Sequence, residues 1–185
     1  MTERTFSELE RFLAGIPVYE YRLLDPAGLI TSERVRIICR EECERYDTTW
    51  ACPPAVGSLE ECRERMLAYE KAFFFSGAAQ TPDILDLPRT LAAGEEHEKL
   101  TELIDGWFTD HGFDTLTLSA RSCDICKRCT WPDRQPCRFP DRCHPCVESY
   151  GLVVSEIAGR EGMEFDTGGD AVLWFSLILL RASHN

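Results

Sequence analysis

The chain has 185 residues with a formal net charge of −12, and ten of its residues are cysteine. This length suits one domain with its own hydrophobic core, and the lack of a fixed-period repeat excludes a solenoid or a repeat array. The negative charge argues against binding to nucleic acid, whose phosphates would be repelled by a protein without a dedicated basic face. We therefore expect a single domain over residues 1–185 and no nucleic-acid partner.

Two stretches of the sequence bear on its location. Residues 1–8 lack the apolar core of a signal peptide, so we expect a reducing cytoplasm, where clustered cysteines indicate metal or redox chemistry. The apolar run 171–180 is about half as long as a membrane span needs to be. We expect it to form a buried strand and the protein to have no membrane span.

The N-terminal half predicts alternating helices and strands. Ser7–Glu10 has the pattern of a capping box and predicts a short first helix, and 17–23 alternates like a strand. Helices are predicted from Thr31 to about Arg45 and, after a second capping box, from Ser58 to about Tyr69. The apolar run 71–76 suits a strand covered on both faces.

The C-terminal half continues this pattern. Residues 78–93 contain Thr-Pro and Leu-Pro and predict a surface excursion with a helical turn, followed by an amphipathic helix over 95–110. Strands are predicted at 114–120 and 171–181, and a helix interrupted by a glycine at 147–159. This order predicts an α/β fold, a layered domain of about four strands with flanking helices.

A cysteine-rich loop, residues 121–151, follows the third predicted strand. It contains Cys123, Cys126 and Cys129 in the spacing C-x-x-C-x-x-C, and then Cys137. Such a spacing cannot put three thiols on one face of a helix or strand, but a loop around a compact inorganic cube can direct them all inward. Structural zinc usually takes two C-x-x-C pairs far apart in sequence. We therefore predict a [4Fe-4S] cluster, with zinc as the alternative and disulfides or structural thiols as the remaining one.

The loop leaves the end of a strand, and in open α/β sheets ligands gather beyond the carboxyl ends of the strands. Its local charge is basic, unlike the rest of the chain, and nearby cations would stabilise a negative cluster and raise its potential. A solvated loop is the simpler alternative. The charged residues concerned are Arg121, Lys127, Arg128, Arg134, Arg138 and Arg142 against Asp124, Asp133 and Asp141.

A second group of cysteines lies earlier in the chain. Cys39 and Cys43 are four residues apart on a predicted helix, so their thiols leave the same face, and Cys52 is followed by two prolines that stiffen the backbone. These three could be metal ligands, or they could pack in the core.

Three other residues with metal-binding side chains are assigned to structural roles. Cys62 falls in the apolar stripe of a predicted helix, so we expect it in the core. His97 and His111 have no acid or thiol partner close in sequence, and we expect them at the surface or at a helix cap.

The two cysteine groups and their neighbours resemble DUF2284, a family of predicted metal-binding proteins, over most of the chain. The resemblance implies metal binding, with iron–sulfur as the expected form. It rests on Cys39, Cys43, Tyr46, Trp50, Cys52-Pro53-Pro54, Cys123, Cys126, Cys129, Cys137-Arg138, Pro140, Pro145, Glu148 and Gly151. Where the family pattern has Pro-Ser, this chain has Pro145-Cys146, and Cys143 is also additional. These two cysteines could add ligands, act as a redox dithiol, or be tolerated thiols.

This ligand set divides unevenly. A cluster at Cys123, Cys126, Cys129 and Cys137 would leave Cys39, Cys43 and Cys52 as a three-thiolate site with an open iron, unless Cys143 or Cys146 closes it. We place Arg138 and Glu148 next to the ligands, where charged groups tune a cluster; Glu148 could instead be the N-terminal acid of a helix.

The function predicted on these grounds is electron transfer or a small cluster-dependent oxidoreductase, acting with a redox partner protein or a small-molecule substrate. The alternatives are a zinc-stabilised adaptor, which the nearby His144 and the extra C-x-x-C pair favour, and a thiol-based metal carrier or sensor. No nucleophile elbow, Walker motif or Rossmann glycine pattern occurs.

Overall fold

The computed structural model describes residues 2–80, 87–169 and 171–183. Its helices are α1 (Glu3–Leu13), α2 (Glu33–Glu42), α3 (Leu59–Leu67), α4 (Leu87–Asp110) and α5 (Val154–Arg160). Its strands are β1 (Glu20–Leu24), β2 (Lys71–Gln80), β3 (Phe113–Leu118) and β4 (Ala171–Ala182). Short 3-10 helices occur at Pro26–Gly28, Trp131–Asp133, Pro140–Arg142 and Glu148–Tyr150.

The strands form one sheet in the order β1-β2-β4-β3. Each neighbouring pair is antiparallel, and the longest pairing joins β2 to β4 from Lys71 opposite Leu180 to Gln80 opposite Ala171. The predicted α/β domain of about four strands, with the cysteine-rich segment after the third, is therefore confirmed. The rule that ligands gather at the carboxyl ends of parallel strands does not apply, because this sheet is antiparallel.

Apolar clusters cover both faces of the sheet. Phe74 points to one face and stacks on Phe175, with ring centroids 5.4 Å apart, in a cluster shared with α3 and α5. Phe73 and Phe75 point to the other face, where α1 and α4 pack. This alternation follows from the two-residue period of a strand, and it confirms that the run 71–76 is covered on both sides.

Several predicted boundaries were wrong. α1 begins at Glu3 with Thr2 as its N-cap, so Ser7 lies inside the helix and caps nothing, whereas the capping box of Ser58 and Glu61 forms as predicted. Residues 78–80 extend β2, so the predicted surface excursion is wrong there. Residues 87–93 are helical, but they are the start of α4 and not a separate helical turn. Residues 81–86 lie outside the described part of the chain.

The apolar run 171–180 lies in β4, as predicted. In the described ranges, we find no helix whose length and hydropathy together would let it span a bilayer.

His97 corrects a prediction, because it is buried and not at the surface. It is 4 % exposed, its Nε2 lies 2.9 Å from Ser176 Oγ, and its ring stacks on Phe75. Burial lowers the pKa of His97 to about 4. His111 is exposed at the end of α4 and Cys62 is fully buried in the core, as predicted.

Candidate metal centre

The cysteine-rich segment is closed at its base by backbone hydrogen bonds. Ser119, just after β3, forms a parallel bridge with Cys146: the Ser119 N–H donates to the Pro145 carbonyl at 2.8 Å, and the Val147 N–H donates to the Ser119 carbonyl at 3.0 Å. Residues 120–145 therefore leave the end of the sheet as a loop with both ends fixed.

The side chain of Ser119 ties this base to α4. Its hydroxyl donates a hydrogen bond to the Glu98 carboxylate and accepts one from the Arg121 N–H at 3.2 Å. Burial raises the pKa of Glu98 to about 7. The loop base is thus joined to a helix as well as to the sheet.

Two tryptophans dock the earlier cysteine group on this loop. The Trp50 Nε1–H donates to the Gln135 carbonyl at 3.0 Å and to Thr130 Oγ1 at 3.2 Å. The Trp131 Nε1–H donates in the opposite direction, to Asp47 Oδ1 at 2.7 Å. These contacts join segments about 80 positions apart in the chain.

α2 is held against the residues that follow the loop. The Arg36 guanidinium donates to the Ser149 carbonyl at 3.0 Å and to the Gly57 carbonyl at 2.7 Å. As a result the Cys39 thiol comes within 3.8 Å of the Glu148 carbonyl oxygen.

Gly151 makes this packing possible. Its φ of +74° is in the left-handed region, and a Cβ there would lie 2.5 Å from Leu59 Cδ1.

Five cysteines line a first cavity of about 220 Å³. Within the described part of the chain its lining includes four basic side chains and no acidic one. The cysteines are Cys123, Cys126, Cys129, Cys137 and Cys143, and the basic residues are Arg45, Lys127, Arg128 and Arg138.

Two thiols of the first cavity interact directly. Cys143 donates a hydrogen bond to Cys123, and this bond is the largest of the effects that lower the pKa of Cys123 to about 6. The same bond raises the pKa of Cys143. All ten cysteines of the chain are free thiols.

Four cysteines line a second cavity of about 300 Å³: Cys39, Cys43, Cys52 and Cys146. Burial raises the pKa of Cys39 to about 11 and holds the pKa of Cys146 well above its usual range. A bound cation would reverse this preference, because metal binding releases the thiol protons.

A short stretch of backbone separates the cavities. Cys123 lines the first, whereas its neighbours Ser122 and Asp124 line the second. Arg45 lines both, and its guanidinium donates a hydrogen bond to the Cys123 carbonyl. Arg45 was not among the site residues predicted from the sequence; its position between Cys43 and Tyr46 was the available signal.

The structure brings together each predicted ligand group and separates the two additional cysteines. Cys143 lines the first cavity and Cys146 the second, so this pair does not share one cavity. Arg138 lines the first cavity and donates to the Arg128 carbonyl at 3.0 Å. Glu148 is the first residue of a 3-10 helix, and its carboxylate interacts with the Cys146 thiol beside the second cavity.

Both cavities are rich in sulfur donors, although Asp124 also lines the second, and sulfur donors suit iron–sulfur clusters and zinc. Among the residues that the structure describes, no three Cys, His, Asp or Glu side chains are drawn together closely enough to hold a single ion.

The family model described as "Predicted metal-binding protein (DUF2284)" matches residues 22–180. The chain belongs to this family. The match confirms the resemblance seen in the sequence, and the DUF2284 range includes every cysteine of the chain. Comparisons with curated proteins and with solved structures gave no match.

Proposed function

We propose that this protein binds a [4Fe-4S] cluster in the first cavity through Cys123, Cys126, Cys129 and Cys137, and that it acts in electron transfer or in a small redox reaction. When bound, such a cluster supplies single-electron chemistry. The protein residues hold it, shield it and set its electrostatic surroundings.

The observation that carries the proposal is the convergence of the four thiols on one cavity. Cys137 is eight residues beyond Cys129, yet it lines the same space, because the loop between them turns through the 3-10 helix at Trp131–Asp133. The C-x-x-C-x-x-C spacing with a further cysteine is typical of cube ligation, and an all-thiol cavity meets its chemical requirement.

The charge of the lining supports the same function. Four thiolates on a [4Fe-4S] core leave a negative complex, and the cationic side chains around the first cavity stabilise it, most of all in its more negative, reduced state. The cavity is thus suited to accepting an electron.

The zinc-adaptor alternative receives less support. His144 is not part of either cavity lining and lies near Asp105 and Glu102, and the Cys143–Cys146 pair is split between the cavities. A zinc site that uses this histidine and this pair together would need a different loop conformation.

The test is metal analysis of protein purified without oxygen. We expect a brown protein with broad absorption at about 400 nm and about four irons per chain for each cluster. Cys129→Ser should lose the cluster of the first cavity, whereas Cys62→Ala, which removes a core thiol, should retain it. A colourless wild-type protein containing one or two zinc ions would overturn the proposal.

A further inference from the structure

We infer that Cys146 is the fourth ligand of a second iron–sulfur cluster, held with Cys39, Cys43 and Cys52 in the second cavity. This inference rests on the proposed function, because it extends cluster binding from one cavity to two. It replaces the open three-thiolate site with a closed one.

The four thiols of the second cavity come from different parts of the chain. Cys39 comes from the last turns of α2, Cys43 from its C-terminal cap, Cys52 from the loop before α3, and Cys146 from the base of the cysteine-rich loop. Three separate parts of the chain thus place four thiols around one cavity of about 300 Å³. Four is the number of protein ligands that a cube takes.

Backbone contacts fix the position of Cys146. It pairs with Ser119 at the end of β3, and its carbonyl accepts a hydrogen bond from Ser149 Oγ at 2.7 Å. Arg36 of α2 donates to the Ser149 carbonyl, so the helix that carries Cys39 is clamped to the residues that follow Cys146. The positions of these two ligands are therefore set by the fold and require no metal.

Cys146 and Cys143 line different cavities. Cys143 lines the first cavity, where four other cysteines already satisfy a cube, and it donates to Cys123. Cys146 lines the second cavity, where it raises the number of thiols from three to four. The two additional cysteines thus differ in role: Cys146 is a ligand, and Cys143 is an extra thiol beside a complete set.

The surroundings of the second cavity carry charges of both signs. Arg45, Arg121 and Asp124 line it, and the Glu148 carboxylate lies beside it next to the Cys146 thiol. Pro53 and Tyr46 supply part of its wall. The two guanidinium groups in the lining of this partly enclosed, four-thiol cavity would stabilise a negative cluster.

The experiment compares two serine variants of the complete chain, prepared without oxygen. We expect the wild-type protein to contain about eight irons per chain and, when reduced, an electron paramagnetic resonance spectrum broadened by two interacting clusters. Cys146→Ser should reduce the iron content by about half and remove the broadening, and Cys39→Ser should do the same. Cys143→Ser, the matched control three residues earlier in the same loop, should keep both features.

A second measurement does not depend on whether a variant folds. In wild-type protein, alkylation followed by mass spectrometry should show Cys146 protected when iron is present and labelled after iron is removed, whereas buried Cys62 should react equally slowly in both forms. Full iron content in Cys146→Ser, or equal labelling of Cys146 with and without iron, overturns the inference.

The outcomes also separate this inference from the proposed function. A wild-type protein without iron overturns both. A wild-type protein with about four irons that are lost in Cys129→Ser but kept in Cys39→Ser overturns the second cluster alone.

Discussion

Trp50 and Trp131 meet edge to face, with ring centroids 4.7 Å apart. One ring belongs to the loop that carries Cys52 and the other to the cysteine-rich loop, so this contact fixes the two loops relative to each other. The hydrogen bonds of both indole nitrogens add direction to the packing.

Trp50→Phe tests whether this contact holds the two loops together. The variant keeps an aromatic ring but loses the donor to Gln135 and Thr130, so we expect a loss of about 1–2 kcal/mol in the free energy of unfolding. Hydrogen exchange over residues 120–145 should become faster. Trp107→Phe, which removes an indole from α4, is the control and should leave exchange in that loop unchanged. Unchanged loop exchange in Trp50→Phe would show that the tryptophan pair does not hold the loops.

Buried His97 predicts a pH dependence of stability. Its folded pKa of about 4 is below the ordinary value of 6.5, so the unfolded chain binds a proton first as the pH falls. This group therefore destabilises the fold as the pH falls from about 6.5 to about 4, by up to about 3 kcal/mol.

The measurement is urea unfolding at several pH values between 4 and 7. His97→Gln should be less stable at pH 7 but should lose less stability on acidification than the wild-type protein. His111→Gln, which changes an exposed histidine just after the same helix, should retain the wild-type slope. Identical slopes in all three proteins would contradict a neutral buried His97.

Arg45 should raise the reduction potential of a cluster in either cavity, because its cationic group lines both. Arg45→Gln should lower the measured midpoint potentials by roughly 10–40 mV, the equivalent of about 0.2–1 kcal/mol for an exposed charge. The shift should shrink at high salt. Arg4→Gln in α1 is the distant control, and redox titration is the measurement. If the midpoint potentials change in Arg4→Gln but not in Arg45→Gln, Arg45 does not tune a cluster in either cavity.

Two glycine substitutions should have opposite effects on stability. Gly151→Ala puts a Cβ at positive φ and against Leu59, and we expect a loss of about 2 kcal/mol or more. Gly106→Ala lies inside α4 with no atom within 4 Å of the new Cβ, and we expect a gain of about 0.5–1 kcal/mol. Thermal unfolding of both variants is the check, and a harmless Gly151→Ala would mean that α3 can move away.

The strands and the two cysteine groups that line the cavities were predictable because their signals are local. Alternation and apolar runs located the strands, and the cysteine spacing located both cysteine groups. The C-terminal limit of β2 was not predictable, because Gly77 and the two alanines after it have weak strand preference. They pair in the sheet because β4 lies opposite them. The start of α4 was also missed, because Pro88 was interpreted as a breaker although proline is favourable in the first turn of a helix.

The assignment of Cys143 and Cys146 to different cavities could not be predicted from spacing. It depends on the bridge between Ser119 and Cys146, which is a long-range contact that no local pattern encodes. The burial of His97 was missed for a similar reason. The space for its ring is provided by Gly77 on β2, where an added Cβ would lie 2.6 Å from Nδ1.

Among the described residues, the one cysteine that belongs to the apolar clusters on the two faces of the sheet is Cys62, which lines neither cavity. The apolar clusters thus contain none of the cysteines that line the two cavities, so we expect the chain to fold before it binds metal, unlike a zinc finger, which is unfolded without its ion. We expect metal binding to follow folding as a separate event, so a cell short of the metal would keep a folded, refillable stock of this protein.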